Sequence, residues 1–191
     1  MSDSRKRRRA ERAEKADAQP RREEAVPLLE RPADLAFAAF FAFATWSSWF
    51  SDIVPALGMT IAENSPSRLG RLTYFYAKDA DPLLIASPYY LRISCFFSAF
   101  VFGAFYPVLV YALVTGKSWI RMPAVVYASA MTYGMLMFLC FEFFGPLPPT
   151  NLTWFAFWNL PYLVVPVLLG YRMWEPDPFR PPARTDRAVA S

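Results

Sequence analysis

Residues 89–115 read YYLRISCFFSAFVFGAFYPVLVYALVT, and this stretch decides the fold class. It is apolar almost throughout, and its one full charge is Arg92, close to its start. A helix of about 20 apolar residues spans the hydrocarbon core of a bilayer. Lipid offers the backbone no hydrogen-bond partner, so a crossing segment of this kind has to be helical. The stretch therefore predicts a membrane-spanning helix.

Three further apolar stretches, residues 35–57, 123–144 and 152–173, are also long enough to cross a bilayer. The first is interrupted by polar side chains only at Thr45, Ser47, Ser48, Ser51 and Asp52. We therefore predict an all-α integral membrane protein, with a four-helix transmembrane domain over residues 34–174. One domain suits a chain of 191 residues.

The two ends of the chain differ sharply from this apolar part. Residues 1–33 hold ten Lys and Arg among several acids and prolines, which predicts a disordered basic tail. Residues 175–191 form a second predicted tail. Lys and Arg also occur between the second and third stretches but not between the third and fourth. The distribution predicts that both termini face the cytosol.

The connection between the first two stretches, residues 58–88, is too long for a tight turn. Its segment RLTYFYA at 71–77 is amphipathic, and DPLL follows at 81–84. A connection of this length with its own aromatic side chains usually folds. We expect a lumenal lid, with a short helix packed over that end of the bundle.

Ionisable groups inside spans cost about 2.5–3.5 kcal/mol at a helix centre, so they are the first candidates for a site. Asp52 lies about three-quarters along the first stretch. It either reaches the lumenal headgroups or turns inward to meet a cationic ligand. Asp81 precedes Pro82, which is typical of a turn or a helix cap. If the lid folds back, Asp81 approaches Asp52, and one of the two carboxyls keeps a proton.

Two further residues belong to the candidate ligand site. Glu142 ends the third stretch on the same predicted side as Asp52, so three acids could converge there or simply lie at the membrane surface. Tyr162 stands between Pro161 and Pro166 in the fourth stretch and is the best candidate for an aromatic pocket wall. An aromatic face that holds a desolvated cation contributes about 2 kcal/mol.

The composition argues against several kinds of site. The chain contains no histidine, which is the usual catalytic base and the commonest metal ligand. Its two cysteines, Cys95 and Cys140, lie in apolar stretches and are interpreted as small buried side chains. We therefore expect no catalytic residue, no metal, no cofactor and no nucleic acid as a partner.

A series of short motifs runs through the apolar part. In order, it comprises YAK at 76–78, DPLL at 81–84, YP at 106–107, YA at 111–112, Gly116, WIR at 119–121, PAVVY at 123–127, FE at 141–142, PYL at 161–163 and Pro166. Over residues 35–173 this series resembles the EXPERA-domain family, also called the emopamil-binding protein superfamily. The closest resemblance is to its sigma-2 receptor branch.

The resemblance implies a four-helix protein of the endoplasmic reticulum with a cavity for sterols and lipophilic cationic drugs. By this resemblance Asp52 would be the ligand-binding aspartate and Asp81 its support, while Tyr76 and Tyr162 would line the cavity. Two positions depart from the family pattern. Ser98 or a neighbouring apolar residue stands where a glutamate is expected, and the family's sterol isomerase relies on a histidine that this chain lacks.

These observations predict a non-enzymatic receptor or carrier of sterols and lipophilic amines in the endoplasmic-reticulum membrane, with a role in sterol homeostasis or trafficking. Two alternatives stay open. One is an isomerase that protonates a sterol double bond with Glu142 or Asp81. The other is a scaffold or chaperone for another membrane protein. Besides the ligand and the bilayer, a membrane-protein partner and a homodimer are both possible.

Overall fold

The computed structural model describes residues 25–180, and every regular element in that range is helical. The α-helices of this part are α1 (Pro32–Ser47), α2 (Ile53–Ala56), α3 (Arg68–Ala80), α4 (Pro82–Ala86), α5 (Tyr89–Phe96), α6 (Gly103–Thr115), α7 (Arg121–Phe144) and α8 (Leu152–Arg172). Short 3-10 helices cover Leu28–Glu30 and Ser118–Ile120. A first π turn, Ser48–Asp52, joins α1 to α2, and a second, Phe97–Phe102, joins α5 to α6. The predicted all-α class is confirmed.

Three helical stretches of the described residues are long and apolar enough to cross a membrane. They are Tyr89–Thr115, Ser118–Phe144 and Leu152–Arg172, which correspond to the second, third and fourth predicted spans. The first predicted span is helical over residues 32–56 but is not among these three. Its second half is rich in Ser, Thr and Asp. The crossing of this stretch, and with it the fourth helix of the bundle, stays a prediction.

One apolar core joins the four long helical stretches. α1 packs along α6, and α7 packs along α8. The rings of Phe41, Tyr106 and Tyr127 contact one another at the centre, with centroids 5.6–5.7 Å apart. Many other large apolar side chains, such as Phe97 and Val126, are exposed on the outside. An apolar outer surface of this extent is expected where lipid is the solvent.

A buried ion cluster closes one end of the helices. Asp34, fully buried at the start of α1, accepts hydrogen bonds from Arg31 at 2.7 Å and from Arg172 at 3.0 Å. Both guanidinium groups lie against the ring of Phe179. The Val26 N–H donates to the Phe179 carbonyl at 3.2 Å. The first and last described segments of the chain therefore meet at this end.

The terminal segments differ from the prediction where they approach the bundle. Within residues 25–33, predicted as part of a disordered tail, Arg31 is buried at the helix ends because the buried carboxylate of Asp34 needs cationic partners and Arg31 supplies one. Of the predicted tail 175–191, residues 178 and 179 are buried. The remaining tail residues, 1–24 and 181–191, lie outside the described part of the chain.

The connection of residues 58–88, here called the lid, covers the opposite end. It contains two helices, α3 and α4, where the sequence predicts one. Ser67 caps α3 by accepting a hydrogen bond from the Gly70 N–H at 3.4 Å. The lid forms a second apolar core with the ends of α2 and α5, composed of Val54, Ile61, Ala77, Leu83, Leu84, Leu91 and Cys95. The lid is therefore a folded part of the protein.

Candidate functional site

Asp52 ends the first π turn and is half-buried. The Ser98 hydroxyl, from the second π turn, donates to Asp52 Oδ2 at 2.6 Å. Hydrogen bonds to an ionised acceptor are short and strong, so this one favours a charged carboxylate. Among the described residues, no Lys or Arg forms an ion pair with Asp52. The site thus offers a carboxyl group without a cationic partner from this part of the chain.

Asp81 separates the two lid helices and is buried. Its Oδ1 accepts a hydrogen bond from the Leu84 N–H at 2.9 Å, and Pro82 occupies the first position of α4. The Asp-Pro pair is thus a helix cap, which is one of the two roles considered from the sequence. Burial raises the pKa of Asp81, although the bond from Leu84 opposes this effect.

Glu142 lies in the last turn of α7 and is fully buried. Within the described residues, no N–H or O–H donor reaches either of its carboxyl oxygens. The group within hydrogen-bond reach is the carboxyl of Asp81. Two buried carboxyls at such short range repel when both are ionised, whereas a shared proton turns the contact into a hydrogen bond. Asp81 and Glu142 therefore form an acid pair between the lid and α7.

Tyr76 of α3 lies beside this acid pair. Its hydroxyl accepts a hydrogen bond from Asn159 Nδ2 of α8 at 3.2 Å. Burial raises the pKa of Tyr76, and the negative charges of Asp81, Glu142 and Asp52 add to this effect. All three acids are therefore near enough to act electrostatically on one hydroxyl. The convergence of the three acids in one ligand site stays a prediction.

The lid is attached to the bundle at further points. The Thr150 N–H donates to the Ala80 carbonyl at 3.3 Å, and the Thr150 hydroxyl donates to the Asp79 carbonyl at 3.1 Å. Thr150 lies just before α8, so the end of α3 is held by the loop after α7. Together with the contacts of Tyr76 and Asp81, these bonds fix the lid over the acids.

Tyr162 lies on α8, half-buried against the core. Its ring packs against that of Phe40 with centroids 5.4 Å apart. The hydroxyl is buried near Ser47, and no group among the described residues meets hydrogen-bond geometry with it. An aromatic wall with a free polar tip suits a ligand that is mostly apolar.

The acids are arranged differently from the pairing considered for Asp52 and Asp81. The hydrogen-bond partner of Asp52 is Ser98, whereas the carboxyl beside Asp81 is that of Glu142. Sequence reasoning noted Ser98 only as a departure from a family pattern and missed Asn159. Asn159 is the single amide side chain within the apolar stretch of residues 152–173, which was the available signal.

The sequence profile of the EXPERA (EXPanded EBP superfamily) family matches residues 69–173, more than half of the chain. The chain belongs to the EXPERA family. The match includes Tyr76, Asp81, Glu142 and Tyr162, and it begins after Asp52. No curated protein and no solved structure matches the chain. The closeness to the sigma-2 receptor branch stays a prediction.

Proposed function

We propose that this EXPERA-family protein is a non-enzymatic intramembrane receptor or carrier for sterols and lipophilic amines. The observation that carries the proposal is Asp52, a half-buried carboxylate in an apolar helix without a cationic partner among the described residues. An unpaired charge within a membrane protein is costly and is a functional-site candidate by default. A ligand ammonium would compensate it.

The geometry around Asp52 suits a ligand with one charge and a large apolar body. Ser98 donates to Oδ2, and the carboxylate has further lone pairs that can accept a hydrogen bond from an ammonium group. Aromatic and apolar side chains surround this end of the helices, and Tyr162 adds a ring with a free hydroxyl. A sterol would contact the same apolar side chains and would place its hydroxyl near Asp52 and the Tyr162 hydroxyl.

A binding experiment tests the proposal. Purified protein in lipid nanodiscs is titrated with a radiolabelled lipophilic tertiary amine. Saturable binding is expected in the wild type, and Asp52→Asn should weaken it at least tenfold while the protein stays monodisperse. Asp79→Asn is the matched control because Asp79 is an exposed lid acid. Equal affinity of wild type and Asp52→Asn would refute the proposal.

A second candidate is an isomerase-type activity on a sterol double bond, and the acid pair of Asp81 and Glu142 favours it. A carboxyl that keeps its proton near neutral pH is a general acid. The absence of histidine argues against the chemistry of the family's known isomerase. Incubation of a labelled sterol with purified protein decides the matter. Conversion that disappears in Glu142→Gln would establish the enzyme, and no conversion would exclude it.

For the cellular setting we propose the endoplasmic-reticulum membrane, with both termini in the cytosol and a role in sterol trafficking. The Lys and Arg distribution supports the orientation. The hydrogen bond between Val26 and Phe179 supports the placement of both ends of the chain on the same side of the membrane. Epitope tags at each terminus, probed in cells with only the plasma membrane permeabilised, should both be accessible. Protection of either tag would contradict this topology.

A further inference from the structure

The two π turns lie side by side, one in each of two neighbouring helical stretches. Side chains of the first turn, Ser48–Asp52, contact the backbone of the second, Phe97–Phe102. A π turn inserts one residue, which rotates the helix that follows by about 100° relative to an unbroken α-helix. The direction in which Asp52 points therefore depends on the first turn keeping its shape.

Two hydrogen bonds join the turns. Ser48 Oγ donates to the Ser98 carbonyl at 2.7 Å, and Trp49 Nε1 donates to the Ala99 carbonyl at 3.0 Å. A π turn departs from the regular bonding of the α-helix, so its carbonyls can accept side-chain donors. Ser48 is almost fully buried, whereas Trp49 is 51% exposed. The indole thus lies on the outside and reaches inward with its N–H.

A glycine makes this approach possible. A Cβ atom placed on Gly103, the first residue of α6, would lie 2.7 Å from Trp49 Nε1 and 3.2 Å from Ser48 Oγ. Both distances are shorter than ordinary carbon contacts, and the clash would fall on the two donor atoms. Any other residue at this position would push the donors away from the second turn.

We propose that Trp49 and Ser48 are positioning residues for the ligand charge, an inference that rests on the proposed function. Their bonds hold the backbone of Ser98 and Ala99 against the first π turn. The same contact brings the Ser98 hydroxyl to Oδ2 of Asp52, so that Oδ1 is presented to the ligand. Both residues donate to the backbone of the second turn, and Ser98 Oγ donates to Asp52 Oδ2. Trp49 therefore acts through Ser98, whereas Ser48 also lies close to the Asp52 carboxyl.

The test compares two ligands on variants that keep an aromatic side chain but remove the indole N–H. The ligands are a labelled lipophilic tertiary amine and its neutral isostere with carbon in place of nitrogen. Trp49→Phe should weaken binding of the amine about tenfold and change binding of the isostere less than twofold. Trp46→Phe is the matched control, because Trp46 is exposed on the same helix and makes no hydrogen bond among the described residues. It should change neither affinity.

A second variant guards against a folding defect. Gly103→Ala retains the indole but displaces it, so it should also weaken the amine selectively. Equal loss of both ligands in Trp49→Phe, or no difference between Trp49→Phe and Trp46→Phe, would overturn the positioning role. If the wild type does not prefer the amine to the isostere, the proposed function fails and this inference fails with it. If the wild type has that preference and both variants retain it, only the positioning role fails.

Discussion

The Ser98 hydroxyl donates to Asp52 Oδ2 at 2.6 Å, from the second π turn to the end of the first. Because of this bond, the position of the Asp52 carboxylate depends on where the neighbouring helical stretch places Ser98. A charge-assisted hydrogen bond contributes about 1.5–3 kcal/mol. The candidate site is therefore a property of two helices rather than of Asp52 alone.

The first prediction concerns this bond. Ser98→Ala should lower the affinity for a lipophilic amine about threefold to tenfold, because the ionised carboxylate loses a donor. Ser94→Ala is the control, since Ser94 is exposed one turn earlier on the same helical stretch. Both affinities are measured by radioligand titration in nanodiscs. An unchanged affinity in Ser98→Ala would show that the bond has no part in binding.

The second prediction concerns the pH dependence of the lid. The pKa of Asp81 is raised in the folded protein, so the folded state holds its proton more tightly than the unfolded state does. The stabilising contribution is therefore complete below the ordinary aspartate pKa of about 3.9 and is lost as the pH rises through the raised value. The pKa of Asp81 is raised to about 6, so the melting temperature in detergent should fall between about pH 4 and about pH 7 and level off above that.

A variant of the acid pair isolates the cause of this fall. Glu142→Gln keeps the shape and supplies an N–H donor to Asp81, so the repulsion between the two carboxyls disappears. The melting temperature at about pH 8 should then rise by about 2–4 °C, and its decrease with pH should flatten. Asp79→Asn, in the same lid but exposed, should leave the curve as it is. A steeper curve in Glu142→Gln would speak against a shared proton.

The third prediction concerns the ion cluster at the opposite end. Asp34→Asn leaves Arg31 and Arg172 without their buried counter-charge, which should cost about 3–5 kcal/mol of stability. Asp177→Asn removes an exposed ion pair with Arg180 at 3.6 Å and should cost less than about 1 kcal/mol. Thermal unfolding in detergent compares the two. Equal losses would mean that burial does not distinguish the two ion pairs.

The helices were predictable from the sequence because their signal is local. An apolar stretch such as residues 89–115 can pair its backbone N–H and C=O groups in lipid only by forming a helix, and the structure has a helical stretch at these residues. The folded lid was predictable for the same kind of reason. The Asp-Pro pair at 81–82 marks a helix cap through the restricted backbone before proline, and Asp81 does cap α4.

The partners of the acids were not predictable in this way. Whether Asp81 meets Asp52 or Glu142 depends on how α3 and α4 divide the lid, which no local pattern encodes. The π turns are a second case, because each is held by donors from the neighbouring helix, as Trp49 holds Ala99. Arg31 was assigned to the tail because the cluster that it forms with nearby Asp34 is completed by Arg172, which is distant in sequence.

A thermodynamic cycle tests the central claim most directly. The binding free energies of the tertiary amine and its neutral isostere are measured on wild type and on Asp52→Asn. If the carboxylate pairs with the ammonium, the wild type prefers the amine and Asp52→Asn loses most of that preference, with a coupling of at least about 1.4 kcal/mol, a factor of ten. A coupling near zero would contradict the claim, because the ligand charge and the Asp52 charge would then act independently.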